Sequence, residues 1–333
     1  MNSLERYLRM LKGDAVDSVP RVPILMQFAA ESIGSNYGAF ASDYRVLVEA
    51  NLHCAEAFGM DQVSAISDPY RETQGFGARI IFERDGVPRC ERHPLEDSRD
   101  FSALPDPDPL RAERMLDRVN AVRQYKARVG GRYSILGWIE GPAAEAADLR
   151  NVMNFLTDVM DDEAYSGALM DRCLETAIRF ARAQVEAGAD TIGIGDAIAS
   201  QLSPSVYARL VQPREKRLIA EVRKMGALVR LHICGNITHL LPGIADLGMD
   251  ILDVDHMVDM KLARRAVGAK VALAGNINPL TVRYGAPEEI ASAMRQTYEA
   301  VGNPYLVNAG CEIPSGTPKD NLLALCGMLP YRR

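Results

Sequence analysis

Leu228-Val-Arg-Leu-His-Ile-Cys-Gly-Asn236 reads as a short buried strand that ends in a turn. Its apolar, β-branched run follows a helix-like segment, 205–225. Before that comes another strand candidate, 191–196, with its own helix-like segment at 171–187. Strands alternating with helices lie parallel. Working outward in both directions adds strand candidates at 21–26, 62–67, 133–139, 251–255, 271–276 and 305–309. Together these units predict an α/β fold, a (β/α)8 TIM barrel with an N-terminal helical extension. Residues 68–108 break the rhythm. Phe76-Gly-Ala-Arg-Ile-Ile-Phe-Glu83 reads as a hairpin and Leu104-Pro-Asp-Pro-Asp-Pro109 as a rigid connector, so 68–108 is expected to be a small insertion in a single domain spanning 1–333. A dinucleotide fold fits less well, because Gly193-Ile-Gly195 runs into Asp196 with no third glycine opening a helix.

The polar residues that follow these strands give the barrel reading its chemistry. They are Gln27, Asp68, Glu140, Asp196, His232 with Cys234, Asp253 with Asp255, Asn276, and Cys311 with Glu312. In a barrel they converge at the C-terminal mouth, where active sites of this fold sit. Strand side chains alternate faces, so His232 and Cys234 point the same way. An imidazole and a thiolate on one strand, with a distant third Cys at 311, suit an open catalytic zinc site better than a closed structural one. Gly235 would let the chain turn sharply behind them. Asp255 is expected to fill a fourth, exchangeable metal position, with loop capping as its other reading, and Asp253 sits deeper in a supporting role. Asp196 and Glu140 face the mouth as candidate catalytic or substrate contacts, and Asn276 as a candidate cofactor contact. Against these stand plainer readings: a core histidine, small buried cysteines, helix caps and turns.

Composition narrows the class. The chain has 333 residues, 47% of them hydrophobic, enough for a large core, and a net charge of −6. That balance argues against a nucleic-acid binder, which needs a basic face. No apolar run approaches the roughly 18 to 20 residues of a membrane helix, and the N-terminus lacks the apolar stretch of a signal peptide. A cytoplasmic location is expected. The six cysteines are widely spread, as free thiols and metal ligands are, rather than set as a disulfide framework.

Several of these segments together resemble the uroporphyrinogen decarboxylase superfamily, and within it the corrinoid-linked methyltransferase branch, the methylcobamide:coenzyme M methyltransferase-like proteins. The resemblance runs over nearly the whole chain: Asp17-Ser-Val-Pro-Arg-Val-Pro23, Gly137-Trp-Ile-Glu-Gly-Pro142, Ala187-Gly-Ala-Asp-Thr-Ile-Gly-Ile-Gly-Asp196, His232-Ile-Cys-Gly-Asn236, Ala274-Gly-Asn-Ile-Asn-Pro279 and Gly310-Cys311. It implies zinc on His232, Cys234 and Cys311, a (β/α)8 barrel, and methyl transfer between cobalamin and a small substrate. That substrate would be a thiol such as coenzyme M, or a methoxylated or methylated compound in an O-demethylase system. No corrinoid-binding domain is evident, so the resemblance also implies a corrinoid protein as partner, and it leaves room for a homodimer. True uroporphyrinogen decarboxylases carry an M-R-Q-A-G-R motif after the first strand; here the segment is Leu25-Met-Gln-Phe-Ala-Ala30, without the arginines. A cofactor-free decarboxylase and a zinc-stabilised binding protein are the alternatives.

Overall fold

The computed structural model describes residues 1–332. Its strands are β1 (Gln62–Ser64), β2 (Arg79–Ile81), β3 (Arg89–Arg92), β4 (Ser134–Glu140), β5 (Thr191–Gly195), β6 (Leu228–His232), β7 (Ile251–Val254), β8 (Ala272–Gly275) and β9 (Tyr305–Leu306). All but β2 and β3 form one parallel sheet in the order β1-β4-β5-β6-β7-β8-β9, and β2 and β3 pair antiparallel as a separate hairpin. Sequential order with a helix between successive strands is the mark of βαβ units. Every residue of β4, β5, β7 and β8 is buried, as helices covering one face and side chains filling the other require.

The segment 21–26 corrects one expectation, because it does not form a strand. Arg21 makes only an isolated parallel bridge to Val307. Pro20 and Pro23 lack the N–H that a ladder needs. The segment still bonds on both sides: Val22 N–H donates to Val307 O and Val307 N–H to Pro20 O, each at 2.8 Å, while Asp61 N–H donates to Arg21 O at 2.8 Å. The segment thus lies between the first and last strands, and the architecture is TIM-barrel-like, a curled seven-stranded sheet joined edge to edge by a proline-flanked connector.

The helix Glu163–Ala187 shows how the outer layer is set. Asp162 caps its first turn by accepting from Tyr165 N–H, and Gly188 at φ 120° ends it in the left-handed region. From this helix Gln184 reaches β4. Its Oε1 accepts from Trp138 N–H at 2.9 Å and its Nε2 donates to Trp138 O at 3.0 Å, beyond Leu136, where the pairing of β4 with β1 stops. Inside the curl, a small apolar cluster of Ile24, Ile66, Leu136 and Trp138 is distinct from the main core between sheet and helices. Among the described residues, no helix is long and apolar enough to cross a membrane.

Candidate metal centre

On β6 the alternation that carries His232 and Cys234 inward also carries Arg230 inward, one layer deeper. The chain turns at once after Cys234, because Gly235 adopts φ 94° and its N–H donates to Asp255 Oδ2 at 2.9 Å. The turn holds Cys234 Sγ 2.9 Å from His232 Nε2 and 3.9 Å from Cys311 Sγ. The three donor atoms all lie within 4.8 Å of one another. Zinc–sulfur bonds of about 2.3 Å give a tetrahedral S···S edge of about 3.8 Å, so the sulfur pair already stands at ligand spacing. Two thiols and an imidazole are a soft donor set that suits zinc, and three ligands leave one position open.

Beneath the trio lies a buried polar layer. Arg230 donates from Nε and Nη2 to Asp253 Oδ2 at 3.0 and 2.7 Å, and from Nη1 to Gln62 Oε1 at 2.8 Å. Asn308 Nδ2 donates to Asp253 Oδ1 at 2.8 Å. So fixed, Asp253 faces His232 Nδ1 with its backbone oxygen at 3.3 Å and Oδ2 at 3.5 Å, the kind of partner that orients a ligating imidazole. The electrostatics of the trio favour one thiolate. A hydrogen bond from Cys234 outweighs burial and, with His232 adding to it, pushes Cys311 down to about 4. The same bond and burial push Cys234 far up. Burial opposes charge on His232, but Cys311 and Asp253 prevail and raise it to about 9.

The trio forms one end of a cavity of ≈ 160 Å³ whose walls include Met26, Ile66 and Trp138 on the apolar side and Asp68, Glu140 and Glu312 among its polar groups. Trp138 and Glu140 project from β4 opposite Gly193 and Gly195 of β5. These glycines make the room: a Cβ on Gly193 would stand 2.1 Å from the Trp138 ring, and one on Gly195 would stand 3.2 Å from Glu140 Oε2. Glu140 Oε1 accepts from Arg71 Nη2 at 2.5 Å, yet burial holds its carboxyl well above the usual range. Glu312 Oε1 accepts from Gln27 N–H at 2.9 Å, and burial pushes its carboxyl up to about 7. Asp68 differs: burial would raise it, but the Arg114 guanidinium holds it well below the ordinary range.

The uroporphyrinogen decarboxylase (URO-D) profile matches residues 2–329. The chain belongs to the URO-D family. It is similar to the methylcobamide:CoM methyltransferase MtaA of Methanosarcina barkeri, 29% identical over 332 residues, covering 96% of this chain and 95% of that one. It is also similar to the uroporphyrinogen decarboxylase of Chloroflexus aggregans, 27% identical over 338 residues, covering 96% and 93%. Among solved structures, a methyltransferase from Methanosarcina mazei superposes with a TM-score of 0.90 at 27% identity, covering 98% of this chain and 97% of that one.

In this URO-D family member the candidate residues fall into two groups. His232, Cys234, Cys311 and Glu140 meet at the cavity. Asp196, Asn276 and Asp255 are not among its lining residues. Asp196 caps the helix Pro142–Arg150 by accepting from Ala144 N–H at 2.7 Å and Ala143 N–H at 3.4 Å; burial pushes it up to about 7. Asn276 Nδ2 donates to Asp255 O at 3.0 Å and Val258 O at 2.7 Å, pinning the loop after β7. The Asp255 carboxylate is occupied by Gly235 N–H, by Met257 N–H at 2.9 Å and by the His256 ring at 2.9 Å. It braces the turn behind Cys234. Trp138, Asp68, Glu312 and Arg230 are the further residues of the site. Arg230 was readable from the period of β6, and Asp68 and Glu312 from their places at strand ends; the roles of Arg71 and Arg114 behind the wall left no local signal.

Proposed function

We propose that this chain is a zinc-dependent methyltransferase that moves a methyl group between a corrinoid carried by a partner protein and a small substrate, a thiol or a methoxylated or methylated compound. The observation that carries the reading is the cluster of two thiols and an imidazole lining a largely apolar cavity, with no fourth protein donor in the group among the described residues. In this reading His232, Cys234 and Cys311 hold the metal. Zinc bound there supplies a centre that keeps a thiol ionised at neutral pH or polarises an ether oxygen. The chain's own residues do the rest. Asp253, held by Arg230, orients His232, and Asp255 holds the Gly235 turn that aims Cys234, so a move of Asp255 onto the metal would first have to release Gly235 N–H. Trp138, Met26 and Ile66 keep water from the reacting atoms, and Glu140 contacts the substrate. The 20–26 connector serves as the eighth stave of a (β/α)8 barrel, in one domain with 68–108 as an insertion, working in the cytoplasm. A decarboxylase that needs no metal would leave the trio without a task.

Metal analysis of the purified protein, with methyl transfer from methylcobalamin to a panel of thiols and methoxylated aromatics, tests the reading. About one zinc per chain is expected, with Cys234→Ala and Cys311→Ala losing most of it while staying folded, because a barrel of this size is stabilised by its core. Wild-type zinc in both variants would refute the assignment.

A further inference from the structure

The cavity presents no lysine or arginine among its lining residues, while three of them, Asp68, Glu140 and Glu312, carry carboxyl groups. The guanidinium groups behind the wall are already committed. Arg114 forks onto both Asp68 oxygens at 2.6 Å, and Arg230 is bound to Asp253. Arg71 directs Nη2 to Glu140 Oε1 and sets Nε 3.5 Å from Glu72 Oε2, an ion pair on each side of its buried guanidinium. Away from the metal and its His232 ligand, an anionic group entering here would meet hydrocarbon and carboxyl groups, with no lysine or arginine in the lining to pair with.

Two carboxyl oxygens are left over. Asp68 Oδ1 also takes Tyr70 N–H at 3.1 Å, and Oδ2 takes the Ser67 hydroxyl at 2.8 Å. Glu312 Oε1 holds Gln27 N–H and its Oε2 receives no protein donor among the described residues, but Glu312 directly follows Cys311 and so lies at the metal end of the site. Glu140 Oε2 receives no protein donor among the described residues, and it stands over Gly195, itself a lining residue, where the missing Cβ leaves the oxygen open to the cavity. Protonated, Glu140 would offer one neutral hydroxyl, and the other walls would stay as they are.

We propose that the small substrate of this centre carries no anionic group, and that its head, beyond the atom that meets the metal, is a neutral or cationic hydrogen-bond donor received by Glu140 Oε2. The inference rests on the zinc reading and narrows it. A sulfonate-bearing thiol is the wrong partner for these walls; an alcohol, phenol or amine head is the right one. Specificity comes from rejection as much as attraction.

Three thiols that differ only in their heads make the test: 2-mercaptoethanol, 2-aminoethanethiol and 2-mercaptoethanesulfonate, each titrated into the zinc-loaded protein at neutral pH. A second matched pair, 2-methoxyphenol and 2-methoxybenzoate, covers the ether case. Heat of binding gives the affinity. Trp138, the single tryptophan of the chain, reports by its emission that the ligand has entered this cavity. The neutral and cationic members should bind roughly tenfold or more tightly than their anionic counterparts, and Glu140→Gln should shrink that ratio while zinc content stays at wild type. Equal or tighter binding of the sulfonate or the benzoate overturns the inference, as does a Trp138 emission that no ligand moves. Should Glu140→Gln fail to fold, the wild-type ranking still decides. Zinc measured in the same preparation keeps the two proposals apart: protein without zinc defeats the methyltransferase reading, whereas zinc-replete protein that prefers anions defeats only this one.

Discussion

Gly193→Ala probes the packing that shapes the cavity. Trp138 and Gly193 are register partners on β4 and β5, and the added methyl would stand 2.1 Å from Trp138 Cε3 and 2.4 Å from Cζ3. Carbon atoms pack at roughly 3.5–4 Å, so the ring would have to retreat by more than about 1 Å. Trp138 is only 3% exposed and is backed by Ile24, Ile66 and Leu136, which leaves the cavity as its one direction of escape. Overpacking of this kind costs about 1–3 kcal/mol. With an unfolding entropy of about 2.1 cal/mol/K per residue, a chain of this length should lose roughly 1.5–4 °C in Tm. Calorimetry reads the stability, and the emission of Trp138 should shift as the ring moves toward solvent. Adding Trp138→Leu to Gly193→Ala should recover most of the loss relative to Trp138→Leu alone, giving a favourable coupling energy. A variant with wild-type Tm and unshifted emission would refute the claim that Gly193 exists to seat the indole.

Arg230→Met should destabilise the protein by about 3–5 kcal/mol in urea unfolding, because it leaves the buried Asp253 carboxylate without its cation; combining it with Asp253→Asn should return part of that loss, and no recovery would argue against the pairing. Burial first, and the charge of Glu72 next, push Asp148 from its ordinary 3.8 up to about 8. The unfolded chain therefore gives up that proton first as pH rises, so this group's contribution is fully present below about pH 4 and is lost by about pH 8. Asp148→Asn should flatten the decline of stability with pH over that window, and an unchanged slope would exclude the effect. Asp255→Ala should weaken zinc binding by roughly 10–100-fold through the loosened Gly235 turn, measured by chelator competition; an unchanged zinc Kd would show that the carboxylate only caps its loop.

Much of this protein is local physics and was legible without a fold. Short β-branched runs alternating with helical segments demand a parallel sheet, and a period of two puts Arg230, His232 and Cys234 on one face whatever surrounds them. Gly235 after Cys234 announces a turn for the same reason. The prolines at 20 and 23 also carry a local message, that this stretch lacks the donors for a full ladder despite its apolar pattern.

What only the tertiary structure decided is which polar groups stay free. Glu140 and Asp196 look alike in sequence, each at the end of an apolar strand. Asp196 is captured by the amides that open the helix Pro142–Arg150, with Gly141 giving it clearance, while Glu140 keeps an oxygen toward the cavity because its neighbour across the ladder is Gly195. Asp255 is taken by Gly235 N–H in the same way. Gly193 and Gly195, too few for a phosphate loop when read along the chain, make space for side chains more than fifty positions away. Alternation and turn formation depend on neighbours in sequence, so residues alone determine them. Competition for buried donors and for volume is settled between strands, and it has no signature until the strands are side by side.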